Sequence, residues 1–262
     1  MKTDIELISI GSELLSGRTL NSHAQTLGAA LTAIGLRLSR DTTIPDEIET
    51  IQFAVREAFD RTDIVVVSGG LGPTSDDITR DALAELFGCK IVMSPTALEV
   101  LHQRIKARGR TVTPAAERQA LILDGAETLL NAVGAAPGEL FFPRSGLSAE
   151  ALVKEEKVLF IIPGPPNEFA SLLGDHIVPW LRKTFPDVVP LELRVLTTQG
   201  IGESDIVTRL EAAGFQCLEV SIGFYPGFGK VEIRLSASKE KADALDAAAN
   251  VLRELLHDHL ID

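Results

Sequence analysis

Apolar and polar positions alternate along the first two thirds of the chain in two different rhythms, and the switches between them mark out strands and helices. Ile5-Glu6-Leu7-Ile8-Ser9-Ile10 reads as a strand ending at Gly11, and Asn21 or Ser22 then opens a helix carrying Leu27, Leu31 and Ile34, closed by Gly35. Leu36 to Thr43 reads as a second strand. A helix starting at Asp46 places Ile48, Ile51, Val55, Ala58 and Phe59 on one face. Ile64-Val65-Val66-Val67 is short, wholly apolar and β-branched, as expected of a strand buried on both faces in the middle of a parallel sheet. The next helix is predicted to run from a cap at Asp76 or Asp77 to Phe87 and to stop at Gly88, and another to run from Pro95 to about Arg108.

The rhythm breaks between Thr113 and Gly138, where a short helix around Glu117 to Ile122 precedes an irregular run ending in Pro137-Gly138. Long irregular segments inside compact domains are usually functional loops. Glu139 to Phe142 and Val158 to Ile162 read as strands joined by an exposed hairpin connection over Pro143 to Glu156, and Pro163-Gly164-Pro165-Pro166-Asn167-Glu168 as a rigid turn opening a helix. Beyond Pro186 come a strand (Leu191 to Thr198), a helix (Glu203 to Ala213), an antiparallel pair (Glu219 to Phe224 with Lys230 to Ala237) and a long amphipathic helix from Lys239 to Leu256. The expected architecture is α/β, a three-layer α/β/α domain with a mostly parallel sheet over residues 1–186, followed by a smaller α+β domain over 187–262.

Composition narrows the function. A net charge of −12 and a pI near 4.9 argue against nucleic-acid or anionic-membrane binding, which clustered Lys and Arg drive. Two cysteines, Cys89 and Cys217, make no disulfide framework and no zinc pattern, and read as inert thiols. The acidic start of the chain is unlike a signal peptide, so a cytoplasmic protein with no membrane segment is expected.

The chemistry concentrates in Ser68-Gly69-Gly70-Leu71-Gly72-Pro73-Thr74-Ser75-Asp76-Asp77-Ile78-Thr79-Arg80, directly after the apolar strand. Glycines at a strand end let a ligand approach backbone N–H groups, which suits a phosphate. Two adjacent carboxylates would repel that phosphate unless a proton or a divalent metal such as Mg²⁺ bridges them. One of the two is accounted for as an ordinary helix cap, and their roles are interchangeable at this level. Three further segments are candidates. Gly11-Ser12-Glu13 ends the first strand, so Glu13 emerges at the same carboxyl edge. Asn131 lies in the irregular loop before Gly138 and has the donors and acceptors to meet a base or pterin edge. Pro165 and Glu168 sit in the proline-rich turn. No P-loop, GxGxxG, GxSxG or HExxH signature is present.

Taken together, Gly11-Ser12-Glu13-Leu14-Leu15-Ser16-Gly17 with Asn21, the Ser68–Thr79 run, Arg118-Gln119-Ala120, Asn131 with Ala136-Pro137-Gly138, the Pro163–Glu168 turn and Gly202-Glu203-Ser204 resemble the N-terminal region of the competence/damage-inducible CinA family, which shares the MoaB/Mog molybdopterin-binding fold. The resemblance implies either metal-dependent (Mg²⁺ or Co²⁺) hydrolysis of ADP-ribose to AMP and ribose 5-phosphate, or binding of molybdopterin without chemistry, and a homodimer. It implies that Asp76, Asp77 and Glu13 are catalytic, with Asp76 and Asp77 at the metal. It also implies that Ser68, Gly69, Gly70, Gly72, Thr74, Ser75, Thr79, Asn21, Asn131, Gly138, Pro165 and Glu168 bind the ligand. Ala116, Arg118 and Ala135 depart from the family's usual residues beside this pocket. The nicotinamide mononucleotide deamidase activity of longer relatives is not expected of these 262 residues.

Overall fold

The structure is a computed structural model that describes residues 3–143 and 157–261. The chain divides into two compact units, Met1–Pro186 and Asp187–Asp262. The predicted hairpin connection lies for the most part outside the described residues.

The first unit contains strands β1 (Asp4–Ile10), β2 (Arg37–Ile44), β3 (Ile64–Ser68), β4 (Ile91–Met93), β5 (Leu121–Leu123), β6 (Glu127–Leu129), β7 (Gly138–Phe141) and β8 (Val158–Ile162). Six of them form one sheet in the order β2-β1-β3-β8-β7-β6, and β4 and β5 form a separate antiparallel ladder. β2, β1, β3 and β8 run parallel, in register from Ile5 opposite Ile64 to Ser9 opposite Ser68 and from Ile64 opposite Val158 to Ser68 opposite Ile162. β7 is antiparallel to both β8 and β6. The mixed α/β class with a mostly parallel central sheet is therefore as the hydrophobic rhythm predicts.

β3 is buried throughout, which is why it is apolar on both sides. One face of the sheet, through Ile8, Val65, Val67 and Ile161, packs under helix α3 (Ile48–Arg61) and helix α4 (Thr79–Phe87). The other face carries Phe160, whose ring meets Trp180 edge-on at 5.4 Å between centroids, and is covered from the segment after β8. Short helices between these elements are α1 (Ser12–Leu15), α2 (His23–Thr32), α5 (Pro95–Ala107), α6 (Pro114–Glu117), α7 (Pro166–Leu172) and α8 (Val178–Thr184). α4 ends as predicted at Gly88, whose φ of +62° forms a left-handed cap. Its start is different. Ile78 occupies the N-cap with no side-chain bond, so neither Asp76 nor Asp77 caps the helix.

The second unit is an antiparallel sheet of β9 (Glu192–Gln199), β10 (Ser221–Gly227), β11 (Lys230–Ala237) and β12 (Leu260–Ile261) in the order β10-β11-β9-β12. Helix α9 (Glu203–Ala212) and helix α10 (Ala242–Leu255) pack on it through Ile206, Leu245, Ala249 and Leu252. The two-residue β12 is too short for any periodicity to reveal.

Candidate functional site

Four adjacent parallel strands deliver their following loops to one edge of the sheet, where open α/β sheets bind ligands. The loops after β1 (Gly11), β2 (Asp46), β3 (Gly69) and β8 (Pro163) meet around a cavity of about 520 Å³, closed on a further side by Gln119 and Ala136. Among the described residues this cavity is lined by Glu13, Asp46, Asp76, Asp77 and Glu168 and by no lysine or arginine.

Backbone geometry explains the glycines. Gly69 lies at φ +112° with its N–H donating to the Ile162 carbonyl at 3.0 Å, and a Cβ built on it would stand 2.1 Å from the Ile10 carbonyl oxygen. It is wedged between the ends of β1 and β8 where no side chain fits. Gly69→Ala is accordingly expected to destabilise the first unit by at least ~2 kcal/mol. Gly88→Ala, at a left-handed position with open space around it, is expected to cost only about 1 kcal/mol. Chemical denaturation of both variants checks the contrast, and equal costs would refute it.

The loop after β3 is held in shape by Asp77. Its Oδ1 accepts the Gly72 N–H at 2.7 Å, and its Oδ2 accepts the Thr74 N–H at 2.8 Å and lies 2.6 Å from the Thr74 hydroxyl. Thr74 Oγ also contacts Asp76 Oδ1, so one hydroxyl hydrogen lies between the two carboxylates and eases their repulsion. That contact, with the residue's own N–H, holds the exposed Asp76 carboxyl below the usual range, and it is ionised at neutral pH. The amides of Gly69 and Gly72 are thus consumed within the protein. Those of Gly70 and Leu71 have no acceptor among the described residues, and both residues line the cavity. Loop amides without an acceptor suit an anion.

Glu13, Gly69, Gly70, Gly72, Asp76, Asp77, Pro165 and Glu168 are therefore brought together around one cavity. The other predicted ligand residues stand behind the wall. Ser68 donates to the Pro163 carbonyl at 3.1 Å and Thr79 to the Gly69 carbonyl at 2.8 Å, both buried. Thr74 braces the loop, and Ser75 is exposed on it outside the cavity lining. Asn21 bonds the Thr43 hydroxyl and the His23 N–H. Gly138 opens β7, and its missing Cβ makes room for Ile162 and Leu172. Asn131 is corrected most clearly. Its amide donates to the Ala136 carbonyl and to Glu168 at 2.9 and 2.6 Å and accepts from the Val133 and Gly134 amides at 3.0 and 2.9 Å. All four of its hydrogen-bonding positions are taken, so it shapes the loop and has none left for a base or pterin.

Glu168, the partner of Asn131, is half-buried in the cavity wall; burial pushes its carboxyl up, against the opposing pull of Asn131 and Arg104. Asp46, which in sequence reads only as a helix start, also lines the cavity. Its Oδ2 accepts from Ser12 N–H and Oγ at 2.8 and 3.0 Å, tying the β2 loop to the β1 loop. Gln119 was visible only through the family resemblance. His23 carries a further buried group: its ring stacks on Phe169 at 4.2 Å and leaves Nδ1 unpartnered among the described residues. Burial lowers its pKa, so the unfolded chain takes up the proton first, and stability is lost as the pH falls below about 6.5. His23→Phe is expected to flatten the pH dependence of the unfolding midpoint between about pH 7 and pH 5; a wild-type profile in the variant would refute this. Cys89 and Cys217 are half-buried thiols that burial pushes up, in keeping with inert roles.

Among the described residues no three His, Cys, Asp or Glu side chains assemble a ready-made metal cage. The donor set nonetheless fits a hard cation of the Mg²⁺ kind, which takes one or two carboxylates and fills its remaining positions with substrate phosphate and water. Asp76 is the freer of the pair for that task, since Asp77 is engaged with loop donors.

Residues 6–183 match the family model described as "Probable molybdopterin binding domain", and residues 193–261 match that of the "Damage-inducible protein CinA KH domain". The chain belongs to the CinA-like family of molybdopterin-binding-domain proteins. A CinA-like protein from Gemmatimonas aurantiaca is 37% identical over 257 residues, covering 96% of this chain and 58% of the relative. The chain thus spans less than two thirds of that relative's length. Protein PAE0875 from Pyrobaculum aerophilum is 34% identical, covering 95% of this chain and 92% of the relative. Among solved structures, the protein CinA from Thermoplasma acidophilum superposes with a TM-score of 0.55 at 32% identity over 66% of this chain and 95% of that one. No helix among the described residues of this CinA-like chain is long and apolar enough to cross a membrane.

Proposed function

We propose that the first unit is a metal-dependent hydrolase of a nucleotide-sugar diphosphate, ADP-ribose being the substrate that the family resemblance points to. The observation that carries the reading is the pairing, in one cavity, of two unengaged loop amides at Gly70 and Leu71 with the Thr74-bridged carboxylates of Asp76 and Asp77. The amides suit phosphate oxygens, and the carboxylates suit the cation such an acidic pocket needs before it admits a diphosphate. A bound divalent cation would neutralise charge on the phosphates and activate a water molecule. The water oxygen would form a new bond to one phosphorus as the bridging P–O bond breaks, giving AMP and ribose 5-phosphate, with the two hydrogens of the water released as protons when both monoesters ionise to dianions. Glu13, whose carboxylate folds over Gly11 and lines the cavity, would orient the water.

A second reading, a pterin-phosphate binding protein without hydrolase activity, is favoured by the molybdopterin-binding description of the matched family over residues 6–183. Under either reading the ligand is a small phosphorylated molecule. The second unit supports this over a nucleic acid, since from Asp187 onward acidic residues clearly outnumber basic ones. Incubating the protein with ADP-ribose and Mg²⁺ or Co²⁺, with and without chelator, and separating nucleotides by chromatography tests the proposal. Metal-dependent AMP formation supports it; intact ADP-ribose together with tight pterin binding moves the function to the second reading.

A further inference from the structure

We propose that Arg80 is a positioning residue for the phosphate loop, aiming the Gly70 and Leu71 amides through its hydrogen bond to the Leu71 carbonyl. This inference rests on the reading of the cavity as a phosphate site. Arg80 is buried in the first turn of α4, where the positive end of the helix dipole disfavours a cation. Its Nε donates to Glu139 Oε1 at 2.7 Å, its Nη1 donates to the Leu71 carbonyl at 3.2 Å, and Nη2 has no partner among the described residues. Glu139 in turn accepts the Leu123 N–H at 2.8 Å. Helix electrostatics do not account for a buried guanidinium here, and buried ion pairs seldom stabilise more than an apolar replacement does.

The geometry around the loop does account for it. The carbonyl of Leu71 and the N–H of Gly72 belong to one planar peptide group. Arg80 holds that plane by its oxygen, and Asp77 Oδ1 holds it by its nitrogen at 2.7 Å. The two preceding peptides, which carry the Leu71 and Gly70 N–H groups, are held by their oxygens from Thr79, whose N–H donates to the Gly70 carbonyl at 3.3 Å and whose hydroxyl donates to the Gly69 carbonyl at 2.8 Å. With the next plane gripped at both ends by Arg80 and Asp77, the loop has no free peptide left to turn away from the cavity. Behind Arg80, Glu139 in β7 accepts from Nε, a hydrogen bond whose acceptor oxygen glutamine at 139 retains. Arg80 does not line the cavity, which makes its influence on a ligand indirect.

The test is calorimetric titration of the full chain with inorganic pyrophosphate in the presence of Mg²⁺, using wild type, Arg80→Lys and Glu139→Gln. Lysine keeps the charge beside Glu139 but lacks the fork that reaches Leu71 as well. Arg80→Lys is expected to weaken pyrophosphate binding roughly tenfold to a hundredfold, the worth of a charged hydrogen bond. Glu139→Gln leaves the Leu71 contact in place and is expected to bind within about threefold of wild type in the folded population, although it is the less stable protein. Hydrogen exchange at Gly70 and Leu71, slowed by pyrophosphate in wild type and not in Arg80→Lys, is the second readout. Wild-type affinity in Arg80→Lys overturns the proposal, as does an equal loss in Glu139→Gln. Failure of the wild-type protein to bind pyrophosphate at all overturns the cavity reading itself.

Discussion

Asp76→Asn is expected to lower metal-dependent hydrolysis of ADP-ribose by roughly 10²- to 10³-fold while leaving the unfolding free energy within about 0.5 kcal/mol of wild type. The reasoning rests on how differently two neighbouring carboxylates are employed. Asp76 is exposed, and its one side-chain partner is the Thr74 hydroxyl, so the fold does not depend on its charge, whereas under the proposed hydrolase reading a cation on the substrate phosphates would. Asp77 accepts from two backbone amides and faces the Thr74 hydroxyl. In Asp77→Asn one of those acceptor oxygens becomes an NH₂ group facing donors, which costs about 1–3 kcal/mol and opens the loop. Asp77→Asn is therefore expected to lose substrate affinity, turnover and stability together, and Asp76→Asn turnover alone. Steady-state kinetics beside denaturant titrations separate the two patterns. A wild-type rate in Asp76→Asn would remove the carboxylate pair from the mechanism.

The second large effect concerns stability. Replacing Arg80 by Met while keeping Glu139 strands a fully buried carboxylate without its cation and is expected to cost about 3–5 kcal/mol. Burial already pushes the Glu139 carboxyl up, and Arg80 and the Leu123 amide oppose that push; removing Arg80 leaves burial almost unopposed. The variant should then recover part of the loss on acidification, as Glu139 takes up a proton with a folded-state pKa raised above the unfolded one. The double replacement Arg80→Met with Glu139→Leu is expected to regain part of the stability, because the desolvation penalty of the two charges disappears while the Leu123 N–H and the Leu71 carbonyl lose their partners. Urea denaturation at two pH values measures all of this, and a single-variant cost below about 1 kcal/mol would show that the pair is screened by solvent.

Much of this was visible in one dimension. The uninterrupted apolar run Ile64 to Val67 demanded a strand covered on both faces, and β3 lies at the centre of the sheet with helices on either side. Gly88 and Gly35 marked helix ends because a left-handed residue is cheapest as glycine. The glycine run after Val67 was placed at a strand end by the same periodicity, and a carboxyl strand edge in a parallel sheet is where a ligand meets backbone. Short-range rules of this sort depend on neighbours a few positions away, which the linear order already supplies.

What escaped depended on partners far along the chain. Asp77 has the composition of a helix cap and instead closes a loop, since the Gly72 and Thr74 amides turn back toward it and the helix starts two residues later. Asn131 has the donors and acceptors of a ligand contact, but Ala136, Val133, Gly134 and Glu168 consume them all. Asp46 and Glu13 become neighbours of one cavity only because β2 pairs with β1 in parallel register. The brief strands β4, β5, β6 and β12 are two or three residues long, too short to carry a period, and exist through their ladder partners. The order of residues thus settles where backbone turns, which segments must be buried and where a glycine-rich loop stands at a strand end. Which of its polar groups remain free for a ligand is settled by folding alone, because a hydrogen-bonding group is available only when no distant donor or acceptor has already claimed it.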